Sequence, residues 1–278
     1  MAERPDLEYA LPILQETLAG KRITSVKVQK PIVMRVAVKG DPAGLLQGQV
    51  FSRVERRAHF VLFGFEDPTL EVVVAPMLAG RFVFAESKLP RDAAVTLTLD
   101  SGETFVYRDD VQMGKVYIIE RGAWKLVPGL ETIGVDVLSK AFTPAAFAAL
   151  AKKRRDQVRV FLMDKSALDA FGNAYADEAL WEAKIHPKTM VSKLSAEDLT
   201  QLHRGIVTTM RKAVDTVKAR KPPLDEKLRD FLSVRNRHGE KCPRCGDTIR
   251  RAGVHGHDTF FCPTCQPETR KTGVVSWK

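Results

Sequence analysis

Four cysteines near the C-terminal end, Cys242-Pro-Arg-Cys245 and Cys262-Pro-Thr-Cys265, are separated pair from pair by residues 246–261. Two thiolate pairs on tight turns match the tetrahedral sulfur set that zinc takes, and four protein sulfurs leave no open position for water. One zinc, with a structural role, is therefore expected at Cys242, Cys245, Cys262 and Cys265. Two disulfides are the alternative, which a reducing compartment disfavours. Residues 172–187, GNAYADEALWEAKIHP, form a second chemically suggestive stretch. Gly172-Asn173 is a turn pair, Ala179, Leu180, Ala183 and Ile185 recur at roughly helical spacing, and Pro187 stops the run. Such a turn delivers an Asn side chain and free backbone N–H groups at a helix N-terminus, which suits a phosphate oxygen. The same Asn173 can equally do no more than cap its own helix.

The rest of the chain must position these groups. A helix-like stretch over residues 2–20, with Leu11, Leu14 and Leu18 on its apolar side, gives way at Ile23 to a two-residue period. Segments 23–28, 35–38, 60–65, 70–74, 81–85, 95–99, 104–107 and 115–119 are rich in Val, Phe and Thr and are interrupted by Gly, Pro and Asp. They read as antiparallel strands, and several short strands behind one helix suggest a β-sandwich. Residues 133–142 loosen into a connector. Helices are expected over 144–163 and 175–185 and, after a capping box in Ser195-Ala-Glu-Asp198, in a third segment. Residues 221–224 break the pattern, 227–234 lead to the cysteines, and 248–251 with 259–261 suit a hairpin between the cysteine pairs.

The formal net charge is +10, yet residues 1–140 hold 18 basic and 18 acidic residues, so the whole excess lies in the second half. A basic half beside a neutral one is the footprint of a polyanion-binding module, although a solvated basic face gives the same count. No run of about 18 apolar residues is present, and the N-terminus is charged where a signal peptide is apolar. A cytoplasmic protein is expected. A membrane surface is a weaker rival, since no basic amphipathic helix is evident.

GNAYADEALWEAKIHP resembles the helix–two-turn–helix signature of the formamidopyrimidine-DNA glycosylase / endonuclease VIII family. The preceding Val158-Arg159-Val160-Phe161-Leu162-Met163-Asp164 is similar to that family's lead-in, and Cys262-Pro-Thr-Cys265-Gln266 to the end of its zinc finger. Weaker similarity extends from Glu3 to the final cysteine pair. The resemblance implies an α+β multidomain protein: an N-terminal catalytic β-sandwich with a leading helix (1–132), a helix–two-turn–helix DNA-binding domain (133–234) and a four-cysteine zinc finger (235–278).

It also implies a nucleophile. In this family the N-terminal α-amine, exposed by removal of the initiator Met, attacks C1′ of the damaged nucleotide while the next glutamate manages protons. Here these are Ala2 and Glu3, in Met1-Ala2-Glu3-Arg4-Pro5-Asp6-Leu7-Glu8, where Ala2 replaces the usual proline and Asp6 is a shorter acid. Ala2 is small enough for Met removal, and an α-amine of pKa ~7.7–8.0 is partly uncharged at neutral pH. Two phosphate-gripping positions also depart from the pattern. Arg56-Arg57-Ala58-His59 stands where many members have Arg-Arg-x-Lys, and Gly256-His257-Asp258-Thr259 where they have Gly-Arg-x-Thr. His59 and His257 are mostly neutral near pH 7, so each donates a hydrogen bond with little charge; surface histidines without a task are the alternative.

The family fills the gap left by an extruded base with wedge residues. These map onto Leu78 and, from the Asp109-Asp110-Val111-Gln112-Met113-Gly114 loop, onto Met113, with Gln112 facing the orphaned base. Plain core is the alternative for Leu78 and Met113. Asn173 and Arg159 are expected at phosphates. Only ten residues, LSVRNRHGEK, separate Leu228-Arg229-Asp230-Phe231 from Cys242. The loop with which formamidopyrimidine-type members cover oxidised purine is thus missing, which is closer to endonuclease VIII. The expected function is a monomeric, nucleoid-associated repair glycosylase acting on damaged double-stranded DNA, with possible AP-lyase activity. The main alternative is a damage-binding protein that has lost catalysis. A zinc-finger regulator reading sequence fits poorly, since no recognition-helix pattern follows the cysteines.

Overall fold

The structure is a computed structural model that describes residues 3–169 and 171–268. The chain divides into two compact units, Met1–Ile133 with Val214–Leu228, and Gly134–Ala213 with Arg229–Lys278. In the first unit, α1 (Arg4–Leu18) starts from a capping box in which the Glu3 side chain accepts from the Asp6 backbone and the Glu3 N–H donates to Asp6 Oδ2 at 2.9 Å. Its Leu7, Leu14 and Leu18 are buried. It is followed by β1 (Ile23–Val28), β2 (Met34–Val36), the short α2 (Pro42–Leu46), β3 (Phe51–Arg57), β4 (Phe60–Phe65), β5 (Leu70–Ala75), β6 (Arg81–Ala85), β7 (Ala93–Leu99), β8 (Thr104–Arg108) and β9 (Lys115–Glu120).

These strands make the expected sandwich, of one four-stranded sheet ordered β1-β7-β8-β6 and one five-stranded sheet ordered β2-β9-β5-β4-β3. The alternating Phe and Val side chains of the two sheets share one core, where Phe51, Phe63, Phe82 and Phe105 pack ring to ring. Burying such side chains contributes roughly 1.5–3 kcal/mol each.

The second unit holds β10 (Val135–Asp136), α3 (Pro144–Lys152), α4 (Val158–Met163), β11 (Leu168–Asp169), α5 (Asn173–Glu182) and the N-terminal part of α6 (Ala196–Arg220). Its remaining elements are β12 (Arg250–Val254) and β13 (His257–Phe261), an antiparallel hairpin turning at His255 and Gly256, both with φ near the left-handed value. The helix expected over 144–163 is two helices. Lys153 ends the first, and Arg154 then folds back onto Asp156 and Asp164, at 2.5 and 2.6 Å. The capping box at Ser195 is present, with Ser195 Oγ accepting from the Asp198 N–H at 3.1 Å. Residues 174–180 of α5 are all buried, so this helix is covered on every side. No helix among the described residues is long and apolar enough to cross a membrane.

Candidate functional site

Arg159, on α4, is 1% exposed in side chain and lies buried within the second unit. Its Nε donates to Asp177 Oδ1, and its Nη2 donates to both the Asn173 side-chain oxygen and the Asp258 carbonyl, each at 2.9 Å. One guanidinium thus ties the first residue of α5 to the zinc hairpin, beside His257. Asp177 completes the frame: Oδ1 also accepts from Thr259 Oγ1 at 2.6 Å, and Oδ2 from Arg235 Nη1 at 2.8 Å and the Phe260 N–H at 3.2 Å. A planar fork and a carboxylate satisfying each other this way can stay charged in the interior.

Two readings of the sequence meet the geometry here. Asn173 does not cap α5; Gly172 holds the N-cap position, and Asn173 is the first helical residue. Its oxygen is engaged by Arg159, which leaves the amide nitrogen as the group able to donate outward. Nor is Arg159 laid open for a phosphate, because its charge is buried and its Nε and Nη2 are spent on protein acceptors. It orients Asn173 instead. His257 is exposed at the start of β13.

Glu178, the next residue of α5, accepts from the backbone N–H groups of Ser233, Val234 and Arg235 at 2.7–2.9 Å. Burial pushes its carboxyl above the ordinary range, and the three N–H donors pull against that. The ten-residue connection to the cysteines is therefore strapped onto α5. The four cysteine sulfurs lie within 4.8 Å of one another, with Cys245–Cys262 at 3.4 Å and Cys242–Cys265 at 3.9 Å. Tetrahedral zinc with ~2.3 Å bonds places its sulfurs about 3.8 Å apart, so the set fits the metal. No disulfide links the four. Gln266 anchors the far end of the finger, accepting from the Cys262 N–H and donating to the Ile185 carbonyl.

In the first unit, Glu3 is 4% exposed. Its neighbour Arg4 bridges to Glu8 at 3.0 Å, and Glu8 also faces Arg56 at 3.7 Å, which links the start of α1 to the strand leading to His59. His59 lies in the two-residue turn between β3 and β4, with Ala58 at φ 53°. It is buried against the Phe60 ring, so it is not a surface histidine. Leu78 and Met113 are 57% and 47% exposed, so neither is core. Gln112, also exposed, has φ 58°. Ala2 lies outside the described residues.

Comparison with known proteins matches residues 1–116 to the formamidopyrimidine-DNA glycosylase N-terminal domain, 133–221 to the formamidopyrimidine-DNA glycosylase H2TH domain, and 239–267 to the zinc finger found in FPG and IleRS. Over 275 residues the chain is 31% identical to the formamidopyrimidine-DNA glycosylase of Cytobacillus firmus, covering 96% of this chain and 100% of that one. The chain belongs to the formamidopyrimidine-DNA glycosylase family.

Solved structures agree. The Thermus thermophilus protein of the family is 27% identical, with a TM-score of 0.84 over 97% of this chain and 100% of that one. Lactococcus lactis Fpg, solved with DNA containing an N7-benzyl-Fapy-dG and with DNA containing an oxidised pyrimidine, is 25% identical. Its TM-score is 0.86 in each, over 96% of this chain and 100% of that one. Membership makes the chain a DNA-repair glycosylase carrying one structural zinc. The glycosylase's zinc ligands were legible from spacing, whereas Asp177 and Arg235 were missed as the frame behind Asn173, and Glu178 and Gln266 as the ties that hold the finger and its connection. The available signal was the acidic pair Asp177-Glu178 inside an otherwise apolar helix, a pattern that demands buried partners.

Proposed function

We propose that this glycosylase removes damaged bases from double-stranded DNA through an open pocket that admits oxidised pyrimidines and bulky or ring-opened bases. The observation that carries the reading is the Arg159 bracket, which holds the Asn173 amide and the His257 hairpin on one zinc-stapled frame. The Asn173 amide and the His257 ring, set on that frame, suit adjacent phosphate oxygens, positioning DNA without reading its sequence. Ala2 supplies the nucleophile and Glu3 the acid/base. The α-amine attacks C1′, the glycosidic bond breaks, and the departing base takes a proton. The amine nitrogen passes a proton to Glu3 and forms the imine with C1′ as the C1′–O4′ bond breaks, the sugar ring opens and O4′ takes a proton. Elimination from that imine cuts the strand as a separate activity. His59 donates a hydrogen bond to a phosphate flanking the extruded nucleotide, Leu78 and Met113 fill the space it leaves, and Gln112 faces the orphaned base. The strapped connection over 232–241 supports the open pocket, since Glu178 occupies the backbone that a covering loop would extend. The protein acts as a monomer.

A panel of duplexes with single lesions, scored for free base, tests the reading. Oxidised pyrimidines and bulky ring-opened adducts should be released, and oxidised guanine opposite cytosine should be poor. Selective release of oxidised guanine contradicts the open pocket. Binding of every duplex with release from none favours the damage-binding alternative. Asn173→Ala should weaken all duplexes alike by about 1–3 kcal/mol, because it deletes a phosphate donor. Titrations on unrelated flanking sequences check this, and a sequence-dependent loss contradicts the phosphate role.

A further inference from the structure

Three of the exposed large apolar side chains of the first unit, Leu78, Val111 and Met113, come from two short loops, and both loops are crossovers between the same two sheets. Residues 76–80 run from β5 to β6, and 109–114 from β8 to β9. The strands they leave and enter are paired: Ala75 lies opposite Lys115, and Arg81 opposite Arg108. Topology therefore sets the loops side by side at one end of the sandwich, yet it does not fix how far each projects.

A buried polar pair does. The Asp109 carboxylate, 0% exposed, receives four donors. Its Oδ1 accepts from the Val111 and Gln112 N–H groups at 3.2 and 2.8 Å, and its Oδ2 from the Gly114 N–H at 2.7 Å and the Tyr107 hydroxyl at 3.3 Å. The loop is wound around this one side chain, with Gln112 pressed to φ 58°. Tyr107 Oη reaches both loops: a Cβ added at Gly114 falls 1.8 Å from it, and one added at Gly80 falls 2.4 Å from it. Only glycine at both positions lets the hydroxyl sit between the loops. Burial, then the Asp109 charge, pushes the Tyr107 hydroxyl far above its ordinary range, so it stays a donor at any working pH. Lys227 Nζ adds a hydrogen bond to the Leu78 carbonyl at 3.0 Å.

We propose that Tyr107 and Asp109 are positioning residues that lock the two loops at one height, so that Leu78 and Met113 enter the base stack together as a single wedge. The proposal rests on the wedge reading above. It explains why exposed apolar side chains stand on loops held by a charge and a phenol at their base: a wedge that yields cannot hold a base step open.

The test uses the whole protein and a duplex carrying a tetrahydrofuran abasic analogue with 2-aminopurine opposite, so the signal needs no chemistry. Wild type should change the 2-aminopurine fluorescence on binding as the wedge displaces stacking. Tyr107→Phe keeps the ring in the aromatic core, and Asp109→Asn swaps one acceptor for a donor facing N–H groups. Each should reduce the bound-state signal at saturating protein while zinc content stays near wild type and the protein remains folded at the assay temperature, with thermal unfolding lowered only by the lost hydrogen bonds. Base release from a paired lesion should fall about ten- to a hundredfold, as losing buried hydrogen bonds to a charge implies, with far less loss when the lesion sits in a pre-opened bulge. Adding Tyr107→Phe to the double variant Leu78→Ala, Met113→Ala should then cost little more, since the strut acts through the wedge.

Full fluorescence change in both variants overturns the proposal, as do equal losses on paired and bulged substrates or additive effects with the wedge variant. No fluorescence change with wild type itself overturns the wedge reading beneath it, and base release alone then decides the glycosylase.

Discussion

Removing the zinc should collapse residues 239–266 as a unit, weaken DNA binding at every sequence, and leave the β-sandwich folded. The hairpin has a small core of its own, Val234, Cys242, Ile249, Phe260 and Cys262, too little apolar surface to hold without the metal. A structural four-cysteine zinc contributes on the order of 10–16 kcal/mol of apparent binding energy, most of which is folding energy for so small a module. The damage should spread inward by a definite route. Thr259, the Phe260 N–H and the Asp258 carbonyl are partners of Asp177 and Arg159, so losing the hairpin strips a buried ion pair of three of its hydrogen bonds. Asn173 then loses its orienting guanidinium frame. Chelator titration followed by amide exchange should show protection lost over the hairpin and the start of α5, with β4, β5 and β9 unchanged. Uniform loss of protection across both units, or none in α5, contradicts this route.

Glu3→Gln should keep DNA binding and lose base release by about a hundred- to ten-thousandfold, the usual worth of a positioned general acid/base. The substitution is unusually clean here. Glu3 is the N-cap residue of α1 and its side chain accepts from the Asp6 backbone, a task that a glutamine oxygen also performs. The fold at the head of α1 is therefore retained while the proton carrier is removed. Single-turnover assays, with affinity measured in parallel, separate the two. Unchanged release would give the proton transfers to another group.

Much of this was legible in the chain, and the misses have physical causes. The zinc site was visible because its four ligands come as two local pairs, so spacing alone carries the geometry. Most strands were visible through alternation of Val and Phe with polar residues. β3 was not: Phe51–Arg57 reads FSRVERR, and it is an edge strand of its sheet, its outer backbone groups covered by Gln15 of α1, which donates to the Ser52 carbonyl and accepts from the Val54 N–H. Likewise the run over 144–163 looks like one helix, because nothing local announces that Arg154 will be drawn off the helical path by Asp156 and Asp164. Candidate residues could be picked out one by one, but the bracket that joins some of them could not. Arg159 is separated from Asp177 by 18 positions and from Asp258 by 99, and only the folded unit shows that one buried charge serves Asn173 and the hairpin together. His59 shows the same limit, since a lone histidine in a basic turn carries no sign that it will be buried against Phe60.

The central claim is that catalysis runs through the α-amine of Ala2, and reductive trapping tests it most directly. Borohydride added during reaction on a lesion-bearing duplex should reduce the imine and leave protein covalently joined to DNA. The joined peptide should begin at Ala2, with Met1 gone. Acetylating the amine beforehand should abolish both trapping and strand cleavage, because an amide nitrogen has no lone pair free to attack. Base release that continues without trapping, and survives acetylation, would contradict the account and mean that Glu3 activates water while the amine stands by.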